Sequence, residues 1–178
     1  EKTRATEELP SGLKDSKLLS REQREEILNL LSICCQFGEG WIKCSDIDRM
    51  GLSKALKLGA LRALRALNVK YNEEIILDGI HNYLPKIYKQ SKVLIKADNL
   101  IPVVSAAGIY AKVTRDRYMF ELSKKHPKYK FESHVGYGTK SHMLALKQYG
   151  ALKYVHRHSF APVAELNGAL LLEQPTRA

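Results

Sequence analysis

The sequence predicts an α/β layer fold with a mixed sheet, and three observations predict it. Two short apolar runs, EEIILDG at 73–79 and KVLIKAD at 92–98, have the length and composition of strands. Segments with helical spacing of apolar residues precede and follow them, so strands alternate with helices. The bulk composition, 44% hydrophobic and 27% charged over 178 residues, is enough for one packed domain.

In chain order, residues 1–20 read as a polar loop ending in SGLKDSKLLS. Ser20 with Gln23 makes a capping box, S-x-x-Q, ahead of a helix whose Ile27, Leu28, Leu31 and Cys35 share a face. Gly38 and Gly40 end that helix, and GWIKC at 40–44 reads as a short strand. A second helix is expected from about 52 to 68, with Leu52, Leu56, Leu61, Leu64 and Leu67 on its packed face. The run Ile75-Ile76-Leu77, closed by Asp78-Gly79, suits a strand buried on both faces. After the second strand, Pro102 opens a long helix over 101–126 that is rich in small and apolar residues in its first half. Residues 127–138 read as a loop, TKSHMLALKQYG as a helix stopped by Gly150, and a last helix runs from about Pro162 to Leu172. The whole, 1–178, is expected to be a single domain whose part from about 139 onward is helical.

Charge narrows the partners. Lys and Arg number 29 against 19 Asp and Glu, a net charge of +10, which is the footprint of a protein that meets phosphates or an acidic surface. A solvated basic surface would give the same numbers. Cys34, Cys35 and Cys44 lack zinc-ligand spacing and read as reduced thiols of a cytosolic protein. No run of about 18 apolar residues exists, so no membrane helix is expected.

Three places carry candidate chemistry. Asp78 ends an apolar strand, where α/β folds collect their sites, although an ordinary Asp-Gly turn would account for the same pair. Asp116 lies on the stripe of Ala106, Ile109 and Val113, between Arg115 and Arg117. A carboxylate there needs a cation or hydrogen bonds to offset its burial, so the alternatives are a salt-bridged core residue and a metal ligand. Hard carboxylate oxygens such as these suit Mg2+ beside a substrate phosphate. In ESHVGYGTKSH, Tyr137 stands between two glycines and could stack on a sugar or base, with Lys140, His134 and His142 suited to phosphates; a loop tyrosine covering the core is the other reading.

The stretches GLKDSKLLS (12–20), IILDG (75–79), AAGIYAKVTRDRYM (106–119), HPKYKFESHVGYGTKSH (126–142) and HRHSFAPV (156–163), in this order and spacing, resemble bacterial ribonuclease HII, the type 2 ribonuclease H. The resemblance implies a ribonuclease H-like fold, a central mixed sheet flanked by helices with a C-terminal helical region. It implies an enzyme that cuts the RNA strand of RNA–DNA hybrids and incises duplex DNA 5′ to embedded ribonucleotides, as in ribonucleotide excision repair; a monomer is the default expectation, and the reduced thiols place it in the cytoplasm. It further implies two-metal-ion catalysis with Mg2+ or Mn2+ held by four carboxylates, leaving 3′-hydroxyl and 5′-phosphate ends. By motif match Asp78 and Asp116 correspond to the third and fourth carboxylates, and Tyr137 to the tyrosine that stacks on the ribose at the DNA–RNA junction. Lys17 and the HRHSF segment, with His156 and Arg157, resemble substrate-facing positions; Arg115 and Lys140 are expected at the substrate from their own charge, Arg115 serving a nucleic-acid backbone or a local ion pair.

One motif is missing. The family's DEAGRG string, which supplies the first two carboxylates and a backbone that reads the 2′-hydroxyl, does not occur in the 178 residues, and Glu7-Glu8 is followed by Leu9-Pro10. The expectation is an N-terminally truncated copy of a longer enzyme, with Mg2+ held weakly by two aspartates. The alternative to the nuclease is therefore a catalytically incompetent relative that binds nucleic acid through phosphate contacts alone.

Overall fold

The computed structural model of the chain describes residues 9–10, 13 and 16–172. Gly12, Lys14 and Asp15 of the first motif, and Glu7-Glu8, lie outside the described residues. In chain order come α1 Arg21–Cys34, α2 Cys44–Met50, α3 Leu52–Ala66, β1 Ile75–Asp78, β2 Ser91–Leu94, α4 Ala97–Leu100, α5 Pro102–Lys125, α6 Phe131–His134, α7 Lys140–Tyr149 and α8 Ala161–Leu172. Single 3-10 turns stand at Ser16–Leu18 and Pro127–Tyr129. The fold is α/β, mostly helical, with a small sheet. Among the described residues the sheet has two strands, paired in parallel with Asp78 opposite Leu94; an antiparallel pair, which would make it mixed, is not among them. The chain divides into two compact units. The first takes the described residues up to Trp41 and Leu56–Arg115, the second Ile42–Ala55 and the described residues from Asp116 on.

In the first unit, α1 starts as its sequence requires. Ser20 N–H donates to Gln23 Oε1 at 2.8 Å and Gln23 N–H to Ser20 Oγ at 3.2 Å, so the capping box closes in both directions. Leu28 then packs with Ile109 and Val113 of α5 into a core flanked by Leu19, Ile27, Phe37 and Tyr110. The Phe37 and Tyr110 rings stack at 4.1 Å, and Tyr110 O–H and Trp41 Nε1–H both donate to Glu39. Those two bonds, Tyr110 first, hold the Glu39 carboxyl below its usual range.

Two expectations fail in this neighbourhood for one reason. GWIKC is not a strand: residues 40–43 are irregular and Cys44 opens α2. Nor do all five leucines form the packed face expected of α3: Leu52 and Leu56 are exposed while Ala55 is buried, and Leu61, Leu64 and Leu67 are half-buried. The segment 38–40 lies against Gly59 and Ala63 of α3 and against Leu67 just past its end. A Cβ on Gly40 would sit 1.8 Å from the Gly59 carbonyl oxygen, and one on Gly38 would sit 2.4 Å from that of Ala63. Backbone has moved up to helix backbone, which only glycine permits and which a strand ladder would not leave room for. Gly40→Ala is expected to destabilise the protein by about 1–3 kcal/mol, the usual cost of overpacking; a chemical denaturation midpoint equal to that of the unaltered chain would contradict the contact.

β1 is less buried than its apolar run implies. Ile75 is buried, Ile76 and Leu77 only partly, because among the described residues β2 is its one ladder partner. The parallel link, residues 79–90, is irregular but tied down. Asn82 Nδ2 donates to Ser91 Oγ at 2.9 Å, Ser91 Oγ to the Tyr88 carbonyl at 2.8 Å, and Leu84 N–H to Asn82 Oδ1 at 2.9 Å.

The second unit has its own core. Met119 and Leu122 of α5, Tyr129, Phe131, Ala145 and Leu146 of α7 and Val163 of α8 form it, and Phe131 is 1% exposed. Cys44 Sγ donates to the Val155 carbonyl at 2.9 Å, tying the start of α2 to this unit. The three cysteines are free thiols.

Candidate active site

Asp78 stands where the sequence places it, as the last residue of β1, exposed, with Gly79 at φ 127° turning the chain away. Its Oδ1 accepts the Ala97 N–H at 2.8 Å, across from the end of β2. A strand-end carboxylate is thereby fixed in direction by the turn that follows the neighbouring strand. Asp78 belongs to the first unit, together with Lys17, which is exposed on the 3-10 turn, and Arg115, which is exposed on α5.

Asp116 belongs to the second unit. Ala106, Ile109 and Val113 are each at most 2% exposed, as their spacing predicts, and Met119 beyond them is buried too. Asp116 falls between Val113 and Met119 on this stripe and is half-buried rather than enclosed. Arg115 and Arg117 on either side of it are exposed. The helix is long enough to carry one apolar stripe through both halves, and the stripe is interrupted by a carboxylate at one position.

The Tyr137 loop is held by its backbone and offers its ring to solvent, with the residue 60% exposed. Tyr137 N–H donates to the His134 carbonyl at 2.8 Å, and the Tyr137 carbonyl accepts from Thr139 N–H at 2.8 Å and from His142 Nδ1 at 2.9 Å. Just before it, Val135 has φ 41° and Gly136 φ 81°. A left-handed β-branched residue costs on the order of 1–3 kcal/mol and persists only where surrounding bonds impose it.

His134, His142 and His156 were expected to meet phosphate or substrate, yet all three are buried, at 4–6% exposure. Their rings contact one another: His134 stacks on His142 at 4.3 Å and 14°, and His142 Nε2 lies 3.2 Å from His156 Nε2. The sequence misleads because HRHSF and KSH look polar, while aromatic packing against Phe131 draws the rings inward. Burial, then repulsion from His142, pushes His156 down to about 4, and burial also lowers His142. Below the ordinary value of 6.5 the unfolded chain takes up a proton on His156 that the folded chain refuses, so stability is full above that pH and falls as pH drops from 6.5 toward 4. His156→Gln, which keeps a donor at the Nε2 position, is expected to flatten this limb of a plot of melting temperature against pH; an unchanged slope would contradict it.

Lys140 is exposed in the first turn of α7, directly after the N-cap Thr139, whose hydroxyl accepts the His142 N–H. Arg157 is half-buried, its guanidinium 4.8 Å above the Phe160 ring. The turn that bears it is clamped by Asp48 of α2, a residue sequence reasoning did not single out. Asp48 accepts from His158 N–H at 2.9 Å, Ser159 N–H at 3.0 Å and Ser159 Oγ at 2.6 Å. Desolvation works against the charge, but these bonds outweigh it and hold the carboxyl below its usual range. Its partners are 110 and 111 residues away in sequence, so no local pattern could have marked it. Tyr137, Lys140, His156, Arg157 and Asp116 thus share the second unit, and Asp78, Lys17 and Arg115 the first.

The donor chemistry of Asp78 and Asp116, hard carboxylate oxygen, fits Mg2+ or Mn2+. The number of donors falls short: among the described residues no group of three or more His, Cys, Asp or Glu is placed to hold a metal ion. Among the same residues no helix is long and apolar enough to cross a membrane.

Comparison with known proteins then decides the family. The profile of ribonuclease HII matches residues 2–163. The chain belongs to the ribonuclease HII family. Ribonuclease HII of Delftia acidovorans is 37% identical over 170 residues, 94% of this chain and 70% of that protein. The Desulforamulus reducens ribonuclease HII is 38% identical over 159 residues, 87% of this chain and 77% of that protein. The crystal structure of ribonuclease H2 from Pyrococcus horikoshii OT3 matches with a TM-score of 0.67, over 90% of this chain and 82% of that one, at 24% identity, and so shares the fold. Ribonuclease HII is an endoribonuclease family, and ribonuclease H activity follows at the level of the family.

Proposed function

We propose that the protein hydrolyses the RNA strand of RNA–DNA hybrids and incises duplex DNA on the 5′ side of embedded ribonucleotides, leaving 3′-hydroxyl and 5′-phosphate ends. The observation that carries this reading is the set of five motifs in family order, which puts one aspartate at the end of β1 and another on the α5 stripe. Asp78 and Asp116 hold divalent ions, Mg2+ or Mn2+, as part of a larger carboxylate set. When bound, such ions lower the pKa of an attacking water and stabilise the leaving oxygen in a two-metal displacement. Tyr137 stacks its exposed ring on the ribose at the DNA–RNA junction. Lys17, Arg115, Lys140 and Arg157 neutralise backbone phosphates, a task for which the net charge of +10 is suited. The protein acts in the cytoplasm, as a monomer and a single domain, in removing ribonucleotides from DNA.

The experiment is incision of a duplex carrying one ribonucleotide by this chain with Mg2+ or Mn2+, beside an EDTA control. Metal-dependent cleavage 5′ to the ribonucleotide supports the reading. The second reading is a binding module without catalysis, which the net charge of +10 would serve equally well. It predicts steeply salt-dependent duplex binding with no cleavage under any metal.

A further inference from the structure

The three buried histidines form a network whose proton positions are fixed by its two ends. The Tyr137 carbonyl, which can only accept, lies 2.9 Å from His142 Nδ1, so that nitrogen carries the proton. In the neutral ring His142 Nε2 is then an acceptor. At the other end Leu152 N–H donates to His156 Nδ1 at 2.8 Å, so His156 carries its proton on Nε2, which faces His142 Nε2 at 3.2 Å. The bonds run one way, from Leu152 N–H through His156 and His142 to the carbonyl of Tyr137. His134 completes the frame: its Nε2 donates to the Tyr129 carbonyl at 2.8 Å and its Nδ1 accepts Gly136 N–H at 3.2 Å. A cation in place of either neutral ring in the chain would put two donors nose to nose.

We propose that His142 and His156 are positioning residues for Tyr137, a directed hydrogen-bond relay that fixes the carbonyl of that residue and so presents its ring to the ribose. This rests on the role given to Tyr137 above. The loop needs such a hold. Val135 and Gly136 are both left-handed, Tyr137 itself makes its ring available by standing outside the core, and the relay is the link from this loop to the 152–156 turn. Asn and Gln discriminate the nitrogens: an Asn amide overlays Nδ1 and reaches the carbonyl, whereas a Gln amide overlays Nε2 and does not.

The test uses the full chain labelled with 15N. Long-range proton–nitrogen correlations at neutral pH are expected to place the proton of His142 on Nδ1 and those of His134 and His156 on Nε2; an Nε2 proton on His142 overturns the relay. Amide exchange at Tyr137 and Thr139 is expected to quicken about tenfold in His142→Leu and His142→Gln and to return to the original rate in His142→Asn. Equal rates in the Gln and Asn variants overturn the proposal, and this pair suffices should the Leu variant fail to fold. Affinity for the duplex with one ribonucleotide separates the two layers. If Tyr137→Ala binds as the unaltered chain does, the role given to Tyr137 fails while the exchange and proton results still judge the relay. If Tyr137→Ala weakens binding and His142→Gln does not, the relay is overturned as a positioning device.

Discussion

Asp116→Asn is expected to lower metal-dependent incision by more than about a hundredfold, beyond what loss of an outer-sphere partner of a metal ligand costs, while duplex affinity stays within about twofold, because phosphate contacts dominate it. The substitution keeps size and shape at a half-buried position between Val113 and Met119 and removes only the charge. Mn2+ affinity and melting temperature read together separate a ligand from a core ion pair. Loss of Mn2+ affinity marks a ligand, whereas a carboxylate kept for a structural salt bridge would leave its partner cation unpaired and lower stability with Mn2+ affinity unchanged. Initial rates on a duplex with one ribonucleotide give the first number. Mn2+ affinity from water-proton relaxation gives the second, expected to weaken about tenfold or more, and it reads the site whether or not the chain cleaves. Parallel loss of cleavage and binding, or a lowered melting temperature with unchanged Mn2+ affinity, would count against the assignment.

Elements whose signals are local were legible in the sequence. The capping box at Ser20 and Gln23, the stops at Gly150 and the stripe Ala106–Ile109–Val113 each depend on residues within a turn or two, and each stands in the structure as expected. So does the placement of Asp78 at a strand end. What the sequence concealed are relations between distant segments. The 38–40 backbone packs on the small face of α3 because Gly40 meets Gly59, and no periodicity within either segment announces a contact made by absent side chains. Leucine spacing alone therefore put Leu52 and Leu56 on a packed face that they do not share. The histidines were misread for a related reason: imidazole is amphipathic, and whether it turns toward phosphate or toward Phe131 is settled by partners elsewhere in the chain. Asp48 shows the same limit, since the donors that bind it lie in the turn at 158–159.

Phe131→Ala is expected to destabilise the protein by about 3–5 kcal/mol, the range for emptying a large aromatic site in a core, which is a large share of the roughly 5–15 kcal/mol that holds a typical domain together. At 1% exposure the ring has no solvent face to lose. It stacks on Tyr129 at 5.4 Å and 8°, meets the edges of His134 and His142 at 5.8 and 5.7 Å, and lies 5.7 Å from His156. Removing it takes away a wall from each histidine at once. Water entering that space would hydrate imidazole nitrogens now bonded to backbone and to each other, so the Tyr137 loop should loosen along with the core. Phe131→Leu separates the two effects, because it keeps most of the volume, costing under about 1.5 kcal/mol, but offers no π-face to the rings around it. Urea denaturation of the three proteins gives the stabilities, and exchange of the Tyr137 amide gives the loop. If Phe131→Ala cost less than about 1 kcal/mol, the cluster would not be the core of the second unit. If both variants lost stability in the expected order while the Tyr137 amide stayed protected, the histidines would hold that loop without their aromatic neighbour.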